Sequence, residues 1–373
     1  MEEKKKELQK ILVNSLELQR KVKVLFSSNP PNLVDDVKNI LGQLKECSKQ
    51  SSKLCDELQH DHGKALTSML NCFIDWNELI LKYVNNSNSN NTKEILKEES
   101  EPIEKRLFDI RKIAQSFKDA SLDARAMELL ANIYSKTNQI DKEINILERA
   151  VAMEKTPPRS IALFDSYLRK LEFTYQDRDR IYQLNNKDKE NQSQQPKQQQ
   201  QQPQPNEPKP DDDNGFMKLH ADAWEIYLWL KSMPGFPRDQ FLLQRKASMF
   251  KLCIYIGSLA NPLISAKDKD IVSIAMEAFD EALHLADITQ NKEYFCAATA
   301  HKSSVVYRTL PEDERDKLLK SLKEVEERMK PENSEIRDLI NSIENKNPSL
   351  HPELKEKEDK EKQEKEQQEK EQK

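Results

Sequence analysis

Five glycines in 373 residues leave this chain almost nothing from which to build tight hairpins, bulges or phosphate-cradling loops. Average usage is roughly 7% Gly, several times more than is found here. Lys, Glu, Leu and Gln are abundant instead, and all are good helix formers. The expectation is an all-α protein. Charged residues make up 34% of the chain, yet the net charge is only −5. Mixed charge of this kind solvates a surface and is not the basic footprint of a nucleic-acid binder.

Apolar residues recur at helical spacing along most of the chain. A first helix fits 2–26, with Leu8, Ile11, Leu18, Val22 and Leu25 on one face and "NPP" at 29–31 ending it. A second fits 33–58 on Val37, Ile40, Leu41, Leu44, Leu54 and Leu58. Gly63 reads as punctuation before a third helix over 64–84, apolar around much of its girth and therefore central. "NNSNSNNT" (85–92) reads as a polar, mobile break. A fourth helix then fits 103–117, with Pro102 in its first turn, where a missing N–H costs nothing. Helical hairpins are expected over 1–120.

Residues 185–215 contain no aliphatic or aromatic side chain. Such a segment cannot bury enough apolar surface to offset its ordering entropy, so it reads as a disordered Gln/Pro-rich linker between two helical blocks. The second block, 216–346, carries helical patterns over 239–259, 271–288, 292–310, 313–329 and 334–343, with Pro311, Pro331 and Pro348 at or near their boundaries. The tail, 347–373, is dominated by Lys, Glu and Gln. It lacks an apolar stripe to dock it, and reads as disordered despite its favourable Glu-to-Lys i,i+4 pairs.

The five cysteines form no CxxC pair, and no apolar signal segment opens the chain. Both point to reduced thiols in a cytoplasmic or nuclear protein. The longest apolar stretches, such as "FKLCIYIGSLA", fall well short of the roughly 20 residues of a membrane helix. Cys55, His60 and His62 are the nearest thing to a metal set. They number one fewer than a structural zinc site takes, and read better as ordinary side chains. Cys296 and His301 are poorly spaced for a nucleophile and its base on one helix. Neither a phosphate loop, a GxSxG elbow nor an HExxH motif occurs. The expectation is a protein without cofactor or catalytic residues.

One stretch, "LLANIYSKTNQIDKEINILERAV" (129–151), carries more information. Met127, Leu130, Ala131 and Tyr134 form one helical stripe; Leu147, Ala150 and Val151 form another; Thr137–Asn138–Gln139 lies between them. Ala131 and Ala150 allow close approach, and "KTPP" stops the second helix. The stretch resembles the tetratricopeptide repeat, whose pattern of large, Leu-small, Tyr, turn, small, aliphatic and Ala positions it largely follows. Asn138 replaces the turn glycine, and Glu143 replaces a small residue early in the second helix. One period of about 34 residues further on, Ile161, Phe164, Leu168, Ile181 and Leu184 are all apolar, although Asp165 falls at a small position. "AMEAFDEALHL" supplies a further second-helix pattern through Ala275, Phe279 and Ala282.

The resemblance implies antiparallel helical hairpins stacked into an α-solenoid, with repeats over 121–184 and again within 216–346. It implies a non-catalytic scaffold or adaptor whose first helices line a groove for a partner protein. In this register Arg125, Glu128, Asn132, Ser135 and Lys136 face the groove, followed by Arg159, Ser166, Arg169 and Lys170. The set is net basic and suits an acidic peptide segment or a partner helix. Asn132 fits the family's chaperone-carboxylate clamp, but Glu128 stands where that clamp needs Lys, which disfavours it. The alternative is a structural subunit held in a larger complex by its amphipathic N-terminal helices. Nucleic-acid and membrane partners are not expected.

Overall fold

A computed structural model describes residues 1–83, 90–192, 211–263, 269–331 and 334–345. Among them there are fourteen helices and no strand. The helices are α1 (Glu2–Ser28), α2 (Leu33–Leu58), α3 (Asp61–Tyr83), α4 (Asn90–Ser116), α5 (Ala120–Lys136), α6 (Ile140–Met153) and α7 (Pro157–Gln192). After these come α8 (Asp211–Lys231), α9 (Arg238–Gln244), α10 (Lys246–Leu263), α11 (Lys269–Thr289), α12 (Lys292–Thr309), α13 (Glu312–Arg328) and α14 (Ser334–Glu344). The chain divides into two compact units, Met1–Lys170 and Leu171–Lys373.

In the first unit each helix from α1 to α6 packs on the next, and α3 also touches α1 and α5. The predicted stripes form its core. Leu41, Leu44, Leu70, Trp76, Leu107, Ile110, Leu122, Met127 and Leu130 are all essentially inaccessible to solvent. Each such side chain contributes roughly 1.5–3 kcal/mol on burial. Arg111 Nε donates to the buried Asp123 Oδ1 at 2.6 Å, and ties α4 to α5. In the second unit α10, α11 and α12 pack on one another, α8 packs on α10, and α14 packs on α12 and α13.

One turn recurs four times. Gln59, Lys118, Asn138 and Gln290 all adopt positive φ between 50° and 57°. In each case the N–H of the left-handed residue bonds the carbonyl three residues back, and the next N–H bonds the carbonyl five back. This is the Schellman arrangement, which usually takes glycine. The residue after the left-handed one then begins the next helix. His60 Nδ1, Asp119 Oδ1 and Asn291 Oδ1 accept the N–H of Gly63, Leu122 and Tyr294 at 2.8, 2.9 and 3.0 Å. A glycine-poor chain thus turns its helices with polar residues in the left-handed region.

Several expectations need correction. Gly63 is not a breaker but lies in the first turn of α3, where an added Cβ would sit 2.6 Å from Cys55 Sγ and 2.7 Å from His60 Nδ1. Helix α4 begins at Asn90, so Pro102 is interior rather than in the first turn. The polar break at 85–92 lies partly outside the described residues, and its residues 90–92 are helical. The helix expected over 239–259 is broken at Arg245, whose guanidinium lies 4.1 Å from the Phe241 ring centroid and donates to the Phe241 carbonyl. The linker 185–215 is shorter than expected, because 185–192 end α7 and 211–215 begin α8; the rest lies outside the described residues, as does the tail beyond 345. The 34-residue echo is not a second hairpin, since Ile161 and Leu184 lie on the single helix α7. Its turn would fall at Leu171–Glu172–Phe173, which contains no residue able to stop a helix cheaply.

Candidate functional site

The stripe on α5 that packs inward leaves the opposite stripe facing a cleft of ≈ 880 Å³ in the first unit. Arg125, Glu128, Asn132, Ser135 and Lys136 all line it. The other walls come from α1 (Gln19, Lys23, Phe26), α3 (Met69, Phe73, Trp76, Ile80) and the first two turns of α4 and α7. Met69, Phe73, Trp76 and Leu129 are buried and make an apolar floor. Four basic side chains, Lys23, Lys93, Arg125 and Lys136, stand over that floor against one acidic side chain, Glu128.

Asn132 is held by Trp76, whose indole Nε1 donates to its Oδ1 at 2.7 Å. An indole N–H only donates, so the amide orientation is fixed and its NH₂ group remains to donate elsewhere. This geometry suits a backbone carbonyl of a bound segment. Glu128 accepts Arg159 Nε at 3.0 Å and lies 3.8 Å from Lys23 Nζ, so its charge is already spent. Burial pushes the Arg125 guanidinium below its ordinary value, against the pull of Glu128 and Asp119.

The remaining residues of the predicted groove do other work. Arg159 bridges Glu128 and Glu154. Ser166 is fully buried and donates to Glu143 Oε1 at 2.8 Å. Arg169 Nη1 donates to Ser135 Oγ at 3.0 Å while its Nη2 pairs with Glu143. Lys170 Nζ lies 2.7 Å from Asp141 Oδ1. These contacts hold α7 against α5 and α6. The cleft residues on α1 and α3 escaped sequence reasoning. The sole advance signal was the excess of apolar residues on α3, wide enough to face both core and cleft.

Cys55 is buried beside Thr67, His60 caps α3, and His62 Nε2 meets Asp119 Oδ2 at 2.7 Å. Among the described residues no three His, Cys, Asp or Glu side chains are grouped to hold a metal ion, and no helix is long and apolar enough to cross a membrane. All five cysteines are free and buried. Comparison with protein-family models, with curated proteins and with solved structures finds no match for this chain.

Proposed function

We propose that the first unit is a protein-interaction module of the tetratricopeptide kind, with α1, α3 and α5 as inner helices and α2, α4 and α6 as outer ones. In this reading antiparallel hairpins stack as a solenoid, and the inner helices hold an extended segment or helix of a partner protein without transforming it. The observation that carries it is the cleft. Its walls are mainly the odd-numbered helices, with one end of α4, its floor is apolar, and its rim is basic although the whole chain is acidic. The contacts of α3 with α1 and α5 and the repeated turn support the same reading. Clefts of this size and lining are the usual form of a binding site.

A photoreactive phenylalanine analogue placed at Ile80, inside the cleft, should cross-link a defined partner segment. The adduct should be lost in the K23E/K93E/K136E variant. The same analogue at Ile113, which is 39% exposed on α4 and outside the cleft, is the control. Equal capture from both positions would remove the cleft from the account. A second reading, docking through α1, rests on Val13 and Val24, which are 59% and 64% exposed there. It predicts that V13S/V24S loses partners that the triple lysine variant keeps.

A further inference from the structure

The "KTPP" turn after α6 is the one place in 373 residues where a serine or threonine precedes a proline, and Arg159 follows two residues after that proline. The Thr-Pro step would have a purely structural explanation if the Thr156 side chain capped α7, with Pro157 in the first helical position. Asp119 and Asn291 do cap their helices, each accepting a first-turn N–H. The Thr156 hydroxyl makes no hydrogen bond among the described residues. Thr156 is half-buried, whereas Ser160, four residues on, is fully inaccessible.

The backbone here suits an enzyme that reads an extended segment. Glu154, Lys155 and Thr156 lie outside any helix, with Glu154 extended at φ −155° and ψ 108°, and a residue before proline favours the same region. Little holds the first turn of α7 closed. Pro157 and Pro158 have no N–H to lose, and one backbone bond ties the turn to Thr156, from Ser160 N–H to its carbonyl at 2.9 Å. The Arg159 guanidinium lies close by. Its Nη1 donates to the Glu154 carbonyl at 3.3 Å, two residues before Thr156, and to Glu154 Oε2 at 2.8 Å. Its Nε donates to Glu128 Oε1 at 3.0 Å, which links α7 to α5.

We propose that Thr156 is the phosphate acceptor for a proline-directed protein kinase, and that the phosphate draws Arg159 away from Glu128. In the transfer, Thr156 Oγ1 attacks the γ-phosphorus of a nucleoside triphosphate held by the kinase. The Oγ1–P bond forms, the bond from that phosphorus to the β,γ-bridging oxygen breaks, nucleoside diphosphate leaves, and the hydroxyl proton passes to a carboxylate of the kinase. The new group carries about −1.5 to −2 charge, more than a carboxylate, and has three acceptor oxygens. Phosphate also takes a guanidinium bidentately. Repulsion from Glu154 is weak, because that side chain is 68% exposed and its charge is solvated. Glu128 is left with Lys23 alone, at 3.8 Å. Because Glu128 lines the cleft, the exchange makes the cleft less basic. None of this depends on the cleft binding a peptide.

The test treats the full chain, and a synthetic peptide of residues 150–162, with a purified cyclin-dependent kinase and ATP, and maps the products by mass spectrometry. The parent chain and T156S should be phosphorylated at position 156, and T156V should not. P157A should be modified about tenfold more slowly, since it loses the contact such a kinase reads. Modification of the peptide but not of the folded chain would mean that the turn does not open. Modification of neither would mean that the segment is not recognised. Either result overturns the proposal, as does equal labelling of P157A. The fate of Arg159 is read from thermal melts of the unmodified and the phosphorylated chain. E128Q should lower the melting temperature of the unmodified chain by about 2 °C, through loss of its bond with Arg159, and should not lower that of the phosphorylated chain. An equal drop in both forms would leave Arg159 on Glu128 and overturn the exchange.

Discussion

Glu143 occupies a position where the resemblance calls for a small side chain, and the chain accommodates it with a specific polar set. Its carboxylate is buried and meets Ser166 and Arg169, while Arg169 also reaches Ser135. Removing one partner of such a pair costs more than neutralising the acid, because a buried charge is left uncompensated. R169M should therefore lose about 3 kcal/mol in urea denaturation, and E143Q about 1 kcal/mol. Equal losses would mean that the pair is not acting as one. His220 sets a second residue-scale expectation. It is fully buried, with Nδ1 at 2.8 Å from the Phe216 carbonyl, Nε2 at 2.7 Å from Tyr175 Oη and its ring stacked on Tyr255. Burial pushes its pKa down from 6.5 to about 4. The unfolded chain therefore binds the proton first, so the stability contributed by neutral His220 is complete above pH 6.5 and lost as pH falls through about 4. Thermal melts followed across that window should fall in the parent, and the fall should be smaller in H220F. An unchanged slope would show that another group dominates the acid response.

The turns are the most informative elements. Lys118, Gln59 and Gln290 hold left-handed backbone without the freedom of glycine. Replacing Lys118 or Gln290 with Gly should stabilise the chain by about 0.5–1 kcal/mol, the relief of strain less the added freedom of the unfolded chain. Glycines inside helices divide by what surrounds them. A Cβ on Gly42 would meet nothing within 4 Å, so G42A should stabilise α2 by up to about 1 kcal/mol. A Cβ on Gly257 would lie 2.4 Å from the Phe279 ring, so G257A should cost about 1–3 kcal/mol. Opposite signs in denaturant titration would support both assignments; equal signs would refute one. Helix α2 was legible to the residue, because its stripe runs between Asn32 and the left-handed Gln59. The break at Arg245 was not, since it depends on a guanidinium stacked on Phe241 rather than on Gly or Pro. Nor was the start of α4. Pro102 is a good first-turn residue, and nothing local says that helix already precedes it.

At the scale of the molecule, average charge concealed local charge. A chain of net charge −5 carries a cleft with four basic side chains and one acidic one. Partner binding through that cleft should weaken as ionic strength rises, and affinity that is flat between low and high salt would argue for a docking mode through the apolar floor alone. The register on α5 could be read in advance because those residues share one helix and one face. The facing residues could not. Gln19 and Arg125 are 106 positions apart and meet only because α1 and α5 both border the cleft. Repeat proteins are commonly treated as interchangeable parts, each hairpin stacking on any neighbour of like shape. Under the repeat reading proposed above, the polar set around Glu143 removes that interchangeability. The α5–α6 segment grafted into a repeat array would carry a buried acid into a place with no Ser166 and no Arg169 to receive it, and a generic repeat hairpin put in its place would strand those two in turn.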